Sequence, residues 1–303
     1  MKILVTGGAG FVGSNIVAEL SGSHDIVVLD DFSLGAEENI KAIRDRIEII
    51  KGDITDYETV RRASSGCDYV LHQAAASSSP MFLKSLQRAV SVNVNGFINI
   101  LESCRANDVK RLVYASTSSM YGNLGGFLKE DMSVFPPNFY SAAKLMKEYL
   151  AVNYSQQYGL ETAGLRYMSI YGPNEKSKGI YANLVSQFLW SMQRNEQPVI
   201  WGRGSQTRDF TYVKDAVQAN KLAMTAKLKC EIFNVGTGVA TSLNELVAVL
   251  NIVMGKDIKP KYLPNTVKNY IATQCADISK IRAIGYEPRY TLEQGIREMI
   301  GNG

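Results

Sequence analysis

Several protein classes are excluded by what this sequence lacks. Only four cysteines occur in 303 residues, Cys67, Cys104, Cys230 and Cys275, and no two stand close together. That spacing rules out a zinc ribbon, a CxxC redox centre and a dense disulfide framework. No run of about 18 apolar residues appears, so no membrane-spanning helix is expected. The chain opens directly on the apolar stretch Lys2-Ile3-Leu4-Val5-Thr6, without the charged and apolar regions of a secretory signal. Excess charge is also scarce. Lys and Arg number 33 against 29 Asp and Glu, a net charge of +4, and the basic residues are scattered. Neither nucleic acid nor a membrane surface is therefore an expected partner. Repeats and low-complexity segments are absent. The expectation is a soluble, cytoplasmic protein with reduced thiols.

Apolar residues make up 46% of the chain, enough for a sizeable core. The length suggests one large α/β domain with a smaller lobe. Short β-branched runs at 3–5, 26–29, 47–50, 69–71 and 112–114 read as strands buried on both faces. Helical patterns at 13–20 and 92–104 separate some of them. This alternation predicts a doubly wound parallel sheet of Rossmann type. Runs at 162–170 and 231–235 read as further strands of that sheet, and helices are expected at 140–154 and 183–194. The sheet domain is expected to span 1–170, with a return at about 210–237. Residues 171–209 and 238–303 are expected to form a substrate-binding lobe.

Thr6-Gly7-Gly8-Ala9-Gly10-Phe11-Val12-Gly13 follows the first strand and opens a helix. Glycine allows a tight turn and leaves room for a pyrophosphate against the backbone. The helix N-terminus then offers free N–H groups and partial positive charge. Asp30 ends the second strand, about seventeen residues beyond Gly13. A carboxylate there can accept ribose hydroxyls and would repel a 2′-phosphate, which favours NAD over NADP. Asp31 adds negative charge in the same direction. Asp53, after the third strand, is placed to reach an adenine amino group.

Tyr140 and Lys144 stand four apart on a predicted helix and so share one face. An ammonium beside a phenol favours the phenolate, so the tyrosine is expected to fall below its usual value near 10. Such a group can act as a general acid or base. The hydroxyl cluster Ser116-Thr117-Ser118-Ser119 follows the fifth strand, where it can meet the same crevice.

These segments occur together with His72-Gln73-Ala74-Ala75, Asn93-Val94-Asn95-Gly96, Leu165-Arg166-Tyr167, Tyr171-Gly172-Pro173 and the stretch 208–215. In that order, over nearly the whole chain, they resemble the extended short-chain dehydrogenase/reductase family, and within it the UDP-galactose 4-epimerase-like sugar-nucleotide enzymes. The resemblance implies NAD as cofactor, a UDP-sugar as substrate and a homodimer. It makes Tyr140 the proton-transferring group, Lys144 its partner and ribose ligand, and Thr117 the hydroxyl that orients the sugar. It assigns cofactor contacts to Gly7, Gly10, Phe11, Val12, Gly13 and the three aspartates. Ile54, Gln73, Ala74, Ala75, Asn93 and Met168 join them. Sugar-nucleotide contacts fall on Ser169, Asn183, Leu184, Trp201, Arg208 and Gln274. No metal is implied.

The chain departs from the family in places. Met168 and Ser169 stand where the family has Phe and Asn, and a second family arginine falls on Val267, beside Lys268. A 4,6-dehydratase of this family carries Asp-Glu after its catalytic threonine, whereas Ser118-Ser119 holds neither acid nor base. The favoured activity is 4-epimerisation of UDP-glucose and UDP-galactose through a 4-keto sugar. A UDP-glucuronate 4-epimerase or decarboxylase, a UDP-N-acetylhexosamine 4-epimerase and a non-catalytic NAD sensor are the alternatives. Gln274 is expected to limit the width of the sugar pocket. His72 is expected to face the sheet core. The faces bearing Ile98, Leu101, Leu145 and Tyr149 are expected to meet a second copy of the chain.

Overall fold

The β-branched runs become strands that alternate with helices. In the first half the order is β1 (Lys2–Thr6), α1 (Phe11–Leu20), β2 (Asp25–Asp30), β3 (Ile47–Lys51), α2 (Tyr57–Ala63), β4 (Tyr69–His72), α3 (Ser79–Lys84), α4 (Leu86–Val90), α5 (Gly96–Ala106), β5 (Arg111–Thr117), α6 (Phe139–Tyr158) and β6 (Glu161–Tyr167). The second half continues with β7 (Ser169–Tyr171), α7 (Leu184–Gln193), β8 (Val199–Trp201), β9 (Thr207–Arg208), β10 (Phe210–Tyr212), α8 (Val213–Thr225), β11 (Cys230–Val235), β12 (Thr241–Ser242), α9 (Leu243–Met254), β13 (Lys261–Leu263), α10 (Ser279–Arg282) and α11 (Leu292–Gly301). This computed structural model describes residues 1–266 and 270–301.

Seven strands form one parallel sheet in the order β11-β6-β5-β4-β1-β2-β3, so the fold is α/β and of Rossmann type. Residues alternate across it, as strand geometry requires. Leu4, Val27, Leu29, Val70 and Leu112 pack toward α2 and α5. Ile3, Val5, Ile26, Val28, Leu71 and Val113 face the opposite core, which includes Ile16 of α1 and Ala216 of α8. His72 is fully buried in the sheet, where its Nδ1 meets the Thr6 hydroxyl at 2.8 Å. Among the described residues, no helix is long and apolar enough to cross a membrane.

The expected single strand at 162–170 is broken. β6 ends at Tyr167, the Met168 N–H bonds to the Val235 carbonyl, and β7 leaves the sheet to pair with β10. Of the returning segment, only β11 enters the main sheet. The helix expected at 92–104 begins with a turn of π-helix at Ser91–Asn95. Leu101 is fully buried in the core and is therefore unavailable to a second copy.

Helix α6, which carries the expected catalytic pair, is fixed at both ends and in the middle. Asn138 caps its N-terminus by accepting the Ser141 N–H at 3.0 Å, and Gly159 ends it at φ +72°. In between, Glu148 accepts Arg166 of β6 through Nε at 3.0 Å and Nη2 at 2.7 Å, and also accepts the Ser116 hydroxyl of β5. All three side chains are buried. Losing one partner of such a buried pair costs about 3–5 kcal/mol, which locks the helix register against the sheet.

Candidate active site

A cleft of about 910 Å³ runs along the carboxyl ends of the strands. At one end lies the glycine turn. Gly7 has φ +67°, and a Cβ on it would stand 2.6 Å from the Ala74 nitrogen. A Cβ on Gly13 would stand 2.0 Å from the Gly7 carbonyl oxygen. Helix α1 starts at Phe11 after Gly10 and has no side-chain cap, so its first N–H groups face the cleft without a protein competitor. A backbone cradle of this kind suits a dinucleotide diphosphate.

The three aspartates line the same end. Asp30 accepts the N–H groups of Ala9 at 2.9 Å and Phe32 at 2.8 Å. Burial still raises it above the usual carboxylate range. Asp31 takes the Ser33 N–H and hydroxyl. Burial alone would raise Asp53, but the Thr55 amide and the Arg88 guanidinium outweigh it and hold the carboxyl low. Arg88, from α4, bonds Asp53 and lies 3.8 Å from Asp31. Sequence reasoning missed this arginine, because nothing around Leu86-Gln87-Arg88 marks it and only the fold brings α4 to the ends of β2 and β3. Its charge is matched by two carboxylates, so it leaves the NAD preference of this end intact.

Thr117, Tyr140 and Lys144 meet at the middle of the cleft. Thr117 ends β5 and accepts the Ser119 N–H at 3.1 Å. Lys144 Nζ donates to the Ala115 carbonyl at 3.0 Å and lies 5.9 Å from the Tyr140 ring centre. Burial lowers the lysine to about 8, against a raising influence from Glu148. The expected lowering of Tyr140 is not found in the chain itself. Burial raises the phenol, and hydrogen bonding with Thr117 is the opposing influence. Desolvation in a closed site outweighs an ammonium whose N–H is directed at a carbonyl.

At the far end stand Met168, Ser169, Asn183, Arg208 and Gln274. Asn183 caps α7 by accepting the Val185 N–H at 3.0 Å. Arg208 Nη1 donates to the Thr207 carbonyl, and its guanidinium lies 5.4 Å from the Tyr270 ring centre. Gln274 is buried, and its Nε2 donates to the Ser118 carbonyl at 3.1 Å. Asp209 helps hold that segment through the Ala276 N–H, while Ala276 forms a bridge to Leu128. Every carboxylate lining the cleft is at the glycine-turn end, so among the described residues no carboxylate lines it beside Ser118 and Ser119.

Gly10, Phe11, Val12, Ile54, Gln73, Ala74 and Ala75 also line the cleft. Three expected contacts do not. Asn93 is fully buried, and its amide is spent on the N–H and carbonyl of Ala76, at 2.7 and 3.1 Å. Trp201 lies on β8 paired with β13, and Leu184 is the first residue of α7; neither reaches the cleft wall. Val267 and Lys268 lie outside the described residues. Ser77, Ser78, Ser79, Lys84, Lys178 and Tyr181 also line it without having been anticipated.

A model of the NAD-dependent epimerase/dehydratase family matches residues 3–236. The chain belongs to that family. It is 31% identical over 306 residues to the UDP-glucose 4-epimerase of Mycolicibacterium smegmatis, covering 99% of this chain and 97% of the relative. Among solved structures, it is similar to the UDP-glucose 4-epimerase of Thermotoga maritima with UDP-glucose. The TM-score is 0.93 at 33% identity, with 99% and 98% of the two chains covered. The UDP-N-acetylglucosamine 4-epimerase of Methanobrevibacter ruminantium, in complex with UDP-N-acetylmuramic acid, gives 0.94 at 31% identity, with 99% and 97% covered. The chain is thus an NAD-dependent member of the UDP-sugar epimerase family.

Proposed function

We propose that this enzyme interconverts UDP-glucose and UDP-galactose by inverting C4. The observation that carries the proposal is the placement of Thr117, Tyr140 and Lys144 midway along one cleft, between the glycine cradle and Arg208. The uridine diphosphate lies toward Asn183 and Arg208, where a guanidinium can take phosphate oxygens in pairs. The lobe built from 171–209 and 238–303 receives it. Thr117 orients the 4-hydroxyl, and the Tyr140 oxygen accepts its proton and later returns it. Lys144 stabilises the phenolate and reaches a ribose hydroxyl. NAD, when bound, supplies the hydride acceptor and donor at C4. The protein's own share is orientation, proton transfer and exclusion of water.

The absence of a carboxylate beside Ser118 and Ser119 supports epimerisation over dehydration. Gln274, fixed to the Ser118 carbonyl, narrows the sugar end and supports a plain hexose. A coupled assay over UDP-glucose, UDP-galactose, their N-acetylated forms and UDP-glucuronate tests the reading. Turnover is expected to be greatest with the plain hexoses. Turnover confined to the uronic acid would refute the hexose assignment, and no turnover with any of them would refute the catalytic one.

A further inference from the structure

We infer that Lys178 is a phosphate-binding residue that closes over the diphosphate of the dinucleotide at the glycine turn. The turn after β7 crosses the start of α1 and is fastened there. Asn15 Nδ2 donates to the Pro173 carbonyl at 3.1 Å, and Asn174 Nδ2 donates to the Ser14 hydroxyl at 3.0 Å. The amide of Asn39 donates to the Ala9 carbonyl at 2.9 Å and to the Asn174 carbonyl at 3.3 Å, tying this turn to the glycine loop itself. The following 3₁₀ segment, Lys176–Tyr181, is thereby brought over the cradle.

Within it, Lys178 Nζ stands 5.2 Å from the ring centre of Phe11, the first residue of α1. Glu175 anchors it. The Glu175 carboxylate accepts Lys178 Nζ at 2.8 Å, the Asn183 N–H at 2.7 Å and the Ser186 hydroxyl at 2.6 Å. An ammonium has three N–H donors, and this contact uses one of them. Lys178 also lines the cleft, with Gly10, Phe11 and Val12.

Charge accounting points the same way. A dinucleotide diphosphate carries two negative charges, and a helix N-terminus supplies only about half a positive one. Of the other cations lining the cleft, Arg88 is engaged by two carboxylates, Asp53 and Asp31, where Lys178 has Glu175 alone, and Lys144 is directed at Ala115 below Tyr140. Arg208 lies over Tyr270 at the sugar-nucleotide end, and Lys84 is exposed on α3. Lys178 is the cation that the fold fastens to the cradle. The chemistry recognised is a diphosphate, which both the cofactor and the UDP-sugar carry. The contact with Phe11 and the ties to α1 assign it to the cofactor. The inference rests on the dinucleotide site at Gly7–Gly13 and is independent of which sugar is turned over.

The test measures release of NAD from the loaded enzyme, by chase with excess unlabelled cofactor, alongside UDP affinity by calorimetry. Lys178→Gln keeps a donor for Glu175 but removes the charge, and Lys178→Arg restores the charge. Lys178→Gln is expected to release NAD about tenfold faster, as for one charge-assisted hydrogen bond. Added salt should narrow that difference, Lys178→Arg should release NAD near the wild-type rate, and UDP affinity should change less than about twofold. Release at the wild-type rate from Lys178→Gln would overturn the inference. Weakening confined to UDP would overturn it too, by moving the residue to the substrate. Should the glutamine variant melt early without cofactor, Lys178→Arg decides, and fast release from it refutes the charge role. The UDP-sugar assay is a separate reaction, so its failure leaves this result readable.

Discussion

Replacing Lys144 should make the NAD-free protein more stable near neutral pH. Lys144 is 2% exposed, and burial brings its ammonium from 10.5 to about 8, with Glu148 opposing. That difference corresponds to about 3 kcal/mol. The sign follows from proton binding. Between about pH 8 and 10.5 the unfolded chain holds this proton and the folded chain has released it, so stability rises with pH through that window. Below it the full penalty remains. Lys144→Met keeps the stem, removes the charge and loses one hydrogen bond to Ala115, worth about 1 kcal/mol. The variant should therefore gain about 2 kcal/mol at pH 7 and lose that advantage by about pH 10.5. Lys147, one turn on, is fully buried and is held well below the usual lysine range by burial and by Lys144. Removing the neighbouring charge relieves it in the same direction. Urea unfolding of NAD-free wild type and variant at both pH values measures the effect, with turnover assayed in parallel. A variant no more stable than wild type at pH 7, or equally favoured at both pH values, would refute the reasoning.

Three further outcomes are expected. Tyr140→Phe should retain the fold and NAD but lose about 10²–10⁴-fold in turnover, which steady-state assay and cofactor extraction would check; full activity would remove Tyr140 from the mechanism. Gln274→Ser should raise kcat/KM for N-acetylated substrates relative to plain hexoses, and an unchanged ratio would show that Gln274 is not the gate. Met146 and Tyr149, 45% and 61% exposed on α6, form with Phe139 an apolar strip that suits a two-fold dimer. Light scattering should show a dimer for the wild type and a monomer for Tyr149→Glu, whereas a wild-type monomer at micromolar concentration would remove the dimer.

The parts visible in the sequence are those set by neighbours in the chain. The glycine turn, the strand-ending Asp30 and the Tyr140–Lys144 spacing each depend on a few consecutive residues, and the structure lines all of them along one cleft. The break at Met168 could not be read, because apolar and β-branched residues continue across it; the change is set by β10, which captures β7. Arg88 and Lys178 escaped notice for the same reason. Their partners, Asp53 and Phe11, lie far away in sequence, and local composition carries no trace of them. Asn93 is the opposite case. Its segment matches the family, but in this chain the amide is spent holding the Ala76 backbone.

The strand order also bears on how the chain is made. β1 is laid down first, and each later strand of the main sheet docks on an edge already present: β2 and β3 on one side, then β4, β5, β6 and β11 on the other. No strand has to be threaded between two others. The sheet can therefore grow by accretion as the chain leaves the ribosome, with the N-terminal part folding first. The dinucleotide cradle is complete long before Gln274 exists, so the cofactor end can be filled on a nascent chain in which the far end of the cleft is still unmade. Until residue 235 emerges, β6 is an open edge able to pair with another chain. Stalling within α7 to α8 would leave that edge unpaired.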